Sequence, residues 1–322
     1  MAEMVQIDSK ELMPINLSSL RIDSTLDFNL YIEMEQEFVL FRAPSLPFTE
    51  KTRKTLLDNG VERLYVPQED KKSYHRYIER HLSNIINDDT ITEDSKSAII
   101  YDSAKMVVKD LLEKPSLPEN LQRSLALVES TTLHLLKTES SFQTMLKVMS
   151  FNYTTYTHSV NVCTIALALA RKMGIRDNQN LHHLGIGALL HDIGKSKISA
   201  KILDKKGPLD TSEMEIIKRH PQYGFELIIN SEIIPHESHY PILQHHERED
   251  GSGYPHNLIS KEIHRFSKIV AIADVFDAMT TQRSYRNAKD AYPALTEMYD
   301  TIHTFDKEML VTLTNLLGAG SN

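Results

Sequence analysis

Histidine is concentrated in one part of this chain. Of its 15 histidines, 11 lie between His158 and His264. Some of these histidines lie within or at the end of an apolar run, next to an aspartate or a second histidine. A carboxylate buried in such a run is energetically costly unless it is paired or binds a metal. This pattern predicts a metal site. The candidate ligands are His158, the pair His191-Asp192, His220, the pair His245-His246, and Asp274.

The number and type of these ligands favour two ions over one. Five imidazoles and two carboxylates are too many for one tetrahedral zinc, and they suit two octahedral ions that share a bridge. On a helix, His191 and Asp192 would point about 100° apart, so Asp192 could bridge two ions while His191 binds one. The single cysteine, Cys163, excludes an iron–sulfur cluster. Nitrogen and oxygen ligands favour iron(II), manganese or another mid-row ion.

Each histidine also has a purely structural explanation. A lone histidine on a mainly apolar helix is more often a hydrogen-bonded core residue than a metal ligand. Nothing in their sequence surroundings argues against this role for His182, His183, His236, His239, His256 and His264.

Helical patterning surrounds the candidate ligands. Helix-like runs begin at His158, Leu181, Asp210, Arg265 and Ala291, and no alternation typical of strands separates them. We therefore predict an all-α domain over residues 149–322, in which separate helices bring the ligands together.

The first half of the chain has a different pattern. Residues 1–88 combine short extended stretches at Ile15, Phe28 and Glu37 with a helix that ends at Gly60 and a strand after it, which predicts a small α+β N-terminal domain with a regulatory or partner-binding role. Residues 89–148 carry two amphipathic helices separated by "KPSLPEN" and are predicted to be a helical connector. Their apolar stripes would pack either on the catalytic domain or on a second copy of the chain.

Composition limits the classes of partner. The formal net charge of −8 and the pI near 6.0 argue against non-specific binding to nucleic acid or to an anionic membrane. No apolar run approaches the roughly 18 residues of a transmembrane helix, and the first residues lack the pattern of a signal peptide. The sequence therefore predicts a cytoplasmic protein with no nucleic-acid or membrane partner.

Two motifs identify a family resemblance. "HDIGK" at 191–195 and "HHEREDGSGYP" at 245–255, with "HP" at 220–221 between them and "ADVFDAMTTQRSYR" at 273–286 after them, resemble the HD-GYP family. This family is a branch of the HD superfamily of metal-dependent phosphohydrolases, and the similarity covers about residues 150–290. It implies an HD-type helical bundle that hydrolyses cyclic di-GMP to linear pGpG, to GMP, or to both.

The resemblance also assigns the metal ligands and predicts two divalent ions, with iron expected and manganese as the alternative. In relatives that bind three metals a glutamate lies one turn before the first histidine, and Thr154 takes that place here. A threonine hydroxyl is a poor ligand, so a binuclear site with a metal-bridging hydroxide is expected. One ion would be held by His158, His191, Asp192 and Asp274, and the other by Asp192, His220, His245 and His246.

Three basic residues are predicted to bind substrate. Lys195, one turn beyond His191, would place its ammonium group on a phosphate oxygen where charge grows in the transition state, so it and Asp192 are the predicted catalytic residues. Arg283 and Arg286 resemble family residues that bind the second phosphate or the guanine, for which a planar guanidinium is suited.

The glycines and proline of "DGSGYP" predict a shaped loop. It would support His245 and His246, and it could present a surface to diguanylate cyclase domains. Asp250 would either orient a ligand histidine or be an exposed loop residue. A homodimer is a further expectation. The residues of this predicted GYP loop are Asp250, Gly251, Gly253, Tyr254 and Pro255.

Two other functions remain open from the sequence. The chain could be a low-activity or inactive HD-GYP signalling or scaffold protein that binds cyclic di-GMP or partner proteins. It could also be an HD phosphohydrolase for a different nucleotide, such as another cyclic dinucleotide. The complete set of binuclear ligands favours an active enzyme over the first, and the GYP motif favours cyclic di-GMP over the second.

Overall fold

The chain is mostly helical and has one small sheet region, which confirms the predicted mainly α fold class. A computed structural model describes residues 9–34, 37–138, 140–149, 154–282 and 288–318. The chain divides into two compact units, Met1–Ser103 and Ala104–Asn322. The boundaries predicted at residues 88 and 148, and the connector role of the segment between them, stay predictions.

The N-terminal unit contains an antiparallel sheet of four strands in the order β1-β6-β3-β4, together with the short pair β2-β5. The extended stretch predicted from Ile15 is a strand only as far as Asn16. A 3-10 turn, Leu17–Ser19, follows, because the Asn16 side chain accepts a hydrogen bond from the Ser18 backbone N–H. The strands are β1 (Leu12–Asn16), β2 (Ser24–Thr25), β3 (Leu30–Met34), β4 (Glu37–Arg42), β5 (Pro47–Phe48) and β6 (Arg63–Pro67).

Two helices lie wholly within this unit, α1 (Glu50–Asp58) and α2 (Lys71–Asn87). Helix α2 buries Tyr74 and Tyr77, whose rings meet Phe28 edge to face at centroid distances of 5.6 and 5.5 Å. Such pairs stabilise a core beyond their buried area. Aromatic packing of this kind gives the small unit a core of its own.

The remaining helices run from the end of the first unit through the second. Helix α3 crosses the division between the units at Ser103. These helices are α3 (Glu93–Glu113), α4 (Pro118–Lys137), α5 (Ser141–Val148), α6 (Thr155–Lys172), α7 (Asn178–Leu190), α8 (Ala200–Leu203), α9 (Thr211–Ile217), α10 (His220–Ile228), α11 (His239–Gln244), α12 (Arg265–Thr280), α13 (Ala291–Asp300) and α14 (Lys307–Gly318).

Helices α6, α7 and α12 form the centre of the second unit. Helix α6 is buried on nearly every side, as expected of a helix that is surrounded by others. It contacts α7, α12 and α14, and α4 packs on α7. Gly185 allows this close packing, because a Cβ there would overlap the Val128 side chain and crowd that of Leu167. Burial raises the pKa of the nearby Cys163 thiol to about 12, which fits an inert core residue.

Two predicted helices end earlier than the sequence pattern suggested. The run from Leu181 stops at Leu190, so His191 and Asp192 form the turn into a 3-10 segment, Ile193–Lys197. The run from Asp210 breaks into α9 and α10 around Lys218, because Pro221 lacks the N–H that a continuous helix requires. Over the described residues, no helix combines the length and apolar character needed to cross a bilayer.

Candidate metal centre

The structure brings the seven predicted ligands together from five places in the second unit. Each is at a helix end or on a buried helix face, where the surrounding core fixes its backbone. His158 lies on α6 and Asp274 on α12, while the other five follow or begin helices: His191 and Asp192 after α7, His220 at the start of α10, and His245 and His246 after α11.

His158, His191 and Asp192 form the first half of the centre, together with Asp274. We call these four residues the acidic group. His158 Nε2 lies 3.0 Å from Asp274 Oδ1 and 3.6 Å from Asp192 Oδ2, and His191 Nε2 lies 3.4 Å from the same Asp192 oxygen. All four side chains are almost fully shielded from solvent.

His220, His245 and His246 form the other half, which we call the histidine group. One ligand atom from each lies within 4.8 Å of the others, as is also true of His158, His191 and Asp192. His220 and His245 are fully buried, whereas the His246 side chain is 20% exposed. This half of the centre is therefore the more accessible one.

Two carboxylates face both groups. Asp192 directs Oδ2 towards the acidic group, and its Oδ1 lies 3.2 Å from His220 Nε2. Asp274 contacts His158 through Oδ1, and its Oδ2 lies 3.8 Å from His246 Nδ1. The bridging position predicted for Asp192 agrees with this geometry, and Asp274, which the sequence had placed on one side only, also reaches both.

Hydrogen bonds fix the orientation of four imidazole rings. His191, His220 and His245 each donate from Nδ1 to a backbone carbonyl, those of Ala188 (2.7 Å), Ile217 (2.8 Å) and Pro241 (2.9 Å). His158 Nδ1 donates to Asp277 Oδ2 at 2.7 Å. A proton held on Nδ1 leaves Nε2 with its lone pair, which is the arrangement of metal-binding histidines. The four lone pairs therefore point into the centre.

These lone pairs fit a pair of cations. The Nε2 atoms of His220 and His245 lie 3.0 Å apart although both rings carry their proton on Nδ1, so the two lone pairs repel unless a positive charge lies between or beside them. His191 Nε2 is buried and makes no hydrogen bond within the described residues. An unpaired buried nitrogen is costly, and a metal ion would satisfy it.

Burial and neighbouring charges hold the ligands in metal-binding protonation states. Burial acts to raise the pKa of Asp192, but Lys195 and His191 outweigh it and keep that pKa well below its usual value. Burial likewise acts to raise the pKa of Asp274, but its contacts with His158 and the adjacent imidazoles outweigh it and keep that pKa well below its usual value. Burial, followed by the neighbouring imidazoles, lowers the pKa of His245. The centre thus combines ionised carboxylates with a neutral imidazole.

Lys195 is the one predicted substrate-binding residue within the described part of the chain. Its Nζ lies 2.6 Å from Asp192 Oδ2, and its side chain is 16% exposed, so the ammonium group stands at the opening of the centre. Arg283 and Arg286 lie outside the described residues.

A close backbone crossing sets the distance between the "HDIGK" turn and α10. A Cβ at Gly194 would overlap the His220 carbonyl oxygen and the Gly224 backbone nitrogen. Only glycine permits this approach. The crossing places Asp192, two residues earlier, beside the His220 ring.

The GYP loop is tied to the residues that follow His246. Gly253 packs so closely on the backbone of residues 246–248 that any Cβ there would overlap it. Glu247, 2% exposed, accepts the backbone N–H groups of His256 (2.7 Å) and Leu258 (2.9 Å). Tyr254 stacks on His246 with 4.6 Å between ring centroids. The loop therefore contacts His246 directly, and its support of His245 stays a prediction.

Asp250 does not orient a ligand histidine. It is exposed, and its Oδ1 accepts hydrogen bonds from the Ser252 backbone N–H (3.0 Å) and hydroxyl (2.7 Å), closing a local turn. Of the two roles that the sequence left open, the loop aspartate is the correct one. Gly251 assists the turn with a φ of +79°, and Pro255 completes the loop.

Thr154 is the N-cap of α6. Its hydroxyl accepts the Thr157 backbone N–H at 3.1 Å, and the Thr157 hydroxyl accepts the Thr154 N–H in return. Such capping boxes satisfy backbone donors at a helix start. The residue where a third-metal ligand would stand is thus used to begin the helix.

Sequence reasoning missed two acids next to the ligands. Asp277 accepts from both His158 Nδ1 (2.7 Å) and Asn161 Nδ2 (2.8 Å). It lies three residues after Asp274, and this spacing on one helix face was a usable signal. Glu247 directly follows the histidine pair, but its burial could not be read from the local sequence.

Imidazole and carboxylate side chains gathered from separate elements of a helical bundle define a candidate metal-binding domain. A model of the HD domain family matches residues 106–309. The chain belongs to the HD domain family, and the resemblance drawn from its motifs is confirmed.

Known proteins similar to the chain include two curated relatives. A "Cyclic di-GMP phosphodiesterase PA4108" of Pseudomonas aeruginosa is 29% identical over 224 residues, which are 69% of this chain and 54% of that protein. A "3'3'-cGAMP-specific phosphodiesterase 3" of Vibrio cholerae is 35% identical over 162 residues, 50% of this chain and 35% of that protein. The chain thus spans about half the length of the first and about a third of the second.

A solved structure shares the fold over both units. It is described as "Bd1817, a HDG"Y"P protein from Bdellovibrio bacteriovorus" and aligns with a TM-score of 0.68 at 22% identity, covering 95% of this chain and 99% of that one. At this identity the likeness concerns the fold alone. It extends beyond the HD domain to the N-terminal unit.

Proposed function

We propose that the chain is a cyclic di-GMP phosphodiesterase that cleaves its substrate to pGpG, GMP or both at a binuclear metal site. The observation that carries this proposal is Asp192, which has one carboxylate oxygen facing each of two imidazole groups whose lone pairs converge. A relative of 29% identity that is named a cyclic di-GMP phosphodiesterase supports the choice of substrate.

Two divalent ions fit the donor atoms of the acidic and histidine groups. The mixture of imidazole and carboxylate ligands suits iron, with manganese as the alternative. When bound, two such ions lower the pKa of a water molecule to near neutrality and neutralise charge on phosphate oxygens. The residues proposed to hold them are His158, His191, Asp192 and Asp274 for one, and Asp192, His220, His245 and His246 for the other.

The side chains around the ligands give the site its remaining functions. Asp277 keeps the proton of His158 on Nδ1, which orients Nε2 towards the centre. The Lys195 ammonium group donates a hydrogen bond to Asp192 Oδ2 at 2.6 Å. It can instead donate to a phosphate oxygen of the substrate as negative charge develops there. The Tyr254 ring covers His246 and limits the access of water from that side.

Product analysis tests this proposal directly. The protein would be purified and loaded without oxygen with iron(II) or with manganese, its metal content measured, and its products from cyclic di-GMP separated by chromatography. We expect two ions per chain and release of pGpG or GMP. Three tightly bound ions would contradict the binuclear site, and absence of both products would instead favour the signalling or scaffold function.

A different cyclic dinucleotide is the second candidate substrate. It is favoured by the relative of 35% identity that is named as specific for 3'3'-cGAMP. Parallel assays with cyclic di-GMP and 3'3'-cGAMP would decide between them by the ratio of kcat/KM. Binding of diguanylate cyclase domains to the GYP loop and formation of a homodimer remain predictions from the sequence.

A further inference from the structure

Lys218 stands beside the GYP loop at the edge of the candidate metal centre. Its Nζ lies 5.9 Å from the centroid of the Tyr254 ring, which is itself stacked on His246 at 4.6 Å. The same aromatic ring therefore contacts the histidine group and lies near this ammonium group. Neither the motifs nor the ligand set had assigned Lys218 a role.

The helix break that was not predicted from the sequence gives Lys218 this position. Its backbone N–H still bonds to the Met214 carbonyl (2.9 Å) as the last turn of α9 closes, and α10 begins two residues later at His220. The lysine is thus attached to the same short backbone segment as a proposed metal ligand. Its place relative to the centre is fixed by that segment.

The ordinary explanation for Lys218 is a surface ion pair. Its Nζ lies 3.0 Å from Glu215 Oε1, but the two side chains are 41% and 62% exposed. Exposed pairs of this kind contribute little to stability, and a cation near 6 Å from an aromatic ring is weakly held. Both contacts can give way to a phosphate group, which offers stronger charge-assisted hydrogen bonds.

A cyclic dinucleotide has two phosphodiesters, and its ring holds them apart. The reacting one would lie at the ions with Lys195, whose Nζ is 2.6 Å from Asp192. The other must lie outside the ligand shell, and Lys218, beside Tyr254, supplies a positive charge at the edge of the centre. On the basis of the proposed function, we propose that Lys218 binds the phosphodiester that is not cleaved and so selects substrates with two phosphates.

A comparison of two substrates tests this role. Bis(p-nitrophenyl) phosphate has a single phosphodiester, so its hydrolysis requires the metal ions, but it has no second phosphate that Lys218 could bind. For the metal-loaded Lys218→Ala variant we expect KM for cyclic di-GMP to rise about tenfold, the loss of one charged hydrogen bond. The loss of kcat/KM should be several times larger for cyclic di-GMP than for the simple diester, and Lys218→Arg should restore much of it.

Lys172→Ala is the matched control. It removes the same charge from an exposed lysine of the same unit, at the opposite end of α6, roughly 21 Å from His158 along the helix. If its KM for cyclic di-GMP rose as much as that of Lys218→Ala, the effect would be one of general charge, and the proposal would be wrong.

Two other results would overturn the proposal. An equal loss of kcat/KM on both substrates would mean that Lys218 only supports Tyr254 and His246, and an unchanged KM for cyclic di-GMP would exclude phosphate binding.

If the wild-type protein does not cleave cyclic di-GMP, a calorimetric measurement of cyclic di-GMP binding separates the Lys218 proposal from the proposed activity. Binding that Lys218→Ala weakens about tenfold would retain the Lys218 role while the proposed activity fails, whereas absence of binding would refute both.

Discussion

The acidic and histidine groups of the metal centre differ in how one imidazole is held, although His191 of the acidic group donates to a backbone carbonyl just as His220 and His245 do. In the acidic group, a carboxylate, Asp277, accepts the Nδ1 proton of His158, and every side chain is shielded from solvent. In the histidine group, His220 and His245 donate to neutral backbone carbonyls, and His246 is 20% exposed beside Tyr254.

This difference indicates that the two halves of the metal centre have different affinities for their ions and different access to the substrate. A carboxylate partner makes an imidazole a stronger ligand than a carbonyl does, and nearby negative charges attract a divalent ion. We therefore expect the acidic group to retain its ion more tightly. The more open histidine group, bordered by the GYP loop, should exchange its ion more readily and face the substrate.

Removing the residue shared by both halves should have the largest effect. Because Asp192 has an oxygen towards each group, Asp192→Ala is expected to abolish binding of both ions and to lower kcat at least about 10³-fold. Elemental analysis and product chromatography measure the two effects. Asp250→Ala, which removes an exposed acid from the GYP loop, should retain both ions. An Asp192→Ala protein with two bound ions would disprove the bridge.

Lys195 should affect turnover and leave the metal unchanged. Lys195→Ala is expected to keep two ions per chain and to lose about 10²-fold in kcat, since the ammonium group would act on charge that develops during the reaction. Metal analysis and kcat on the same preparation provide the comparison. A normal rate would remove Lys195 from the mechanism, and loss of metal would make it a structural partner of Asp192.

Asp277 tests the difference between the groups most directly. Asp277→Asn replaces the carboxylate that His158 contacts, so we expect about 10- to 100-fold weaker binding of one ion, while the ion of the histidine group is retained. Titration with a chelator would show two separate steps of metal release in the wild type and a change in only one of them. Asp300→Asn, an exposed acid at the end of α13, is the control. Simultaneous release of both ions in every variant would contradict independent groups.

Acid should destabilise the metal-free protein in two stages. Burial lowers the pKa of His245 and His246, so below about pH 6.5 the unfolded chain binds protons that the folded one does not. As the pH decreases below this value, the free energy of unfolding decreases by up to about 1.4 kcal/mol per pH unit for each histidine. The lowered pKa values of Asp192 and Asp274 add stability that is lost only below about pH 4.

Urea unfolding over a pH series separates these stages. His245→Gln removes one titrating group, so its slope between pH 6.5 and 5 should be smaller than that of the wild type, with no change in the stage below pH 4. Identical slopes would show that His245 is not held neutral by burial.

The sequence predicted the principal residues of the site better than their supports. Residue types and the two motifs were sufficient to select seven side chains that the fold brings together, because metal ligands must be histidines or acids whatever the fold. The groups that orient the ligands or hold the GYP loop can be of many residue types, so residue type alone does not identify them. The carboxylate that orients His158 is Asp277, and the acid that anchors the GYP loop is the buried Glu247; the sequence had singled out neither.

The fold shows a similar limit. Apolar periodicity located most of the helices, but it gave no sign that α9 ends before Lys218 or that α7 ends at Leu190. Pro221 was a local signal for the first break. The second break lies next to the crossing of the "HDIGK" turn over α10, a contact between segments far apart in sequence, which no local pattern contains.

The missing side chain of Gly194 makes that crossing possible, and with it the separation of the two groups. The main-chain crossing therefore fixes where the two groups stand, and the histidines and acids decide which metal can bind there. Exchanging ligands in this chain would be a way to retune its metal preference, whereas a larger residue at position 194 would change the gap across which a phosphate must fit.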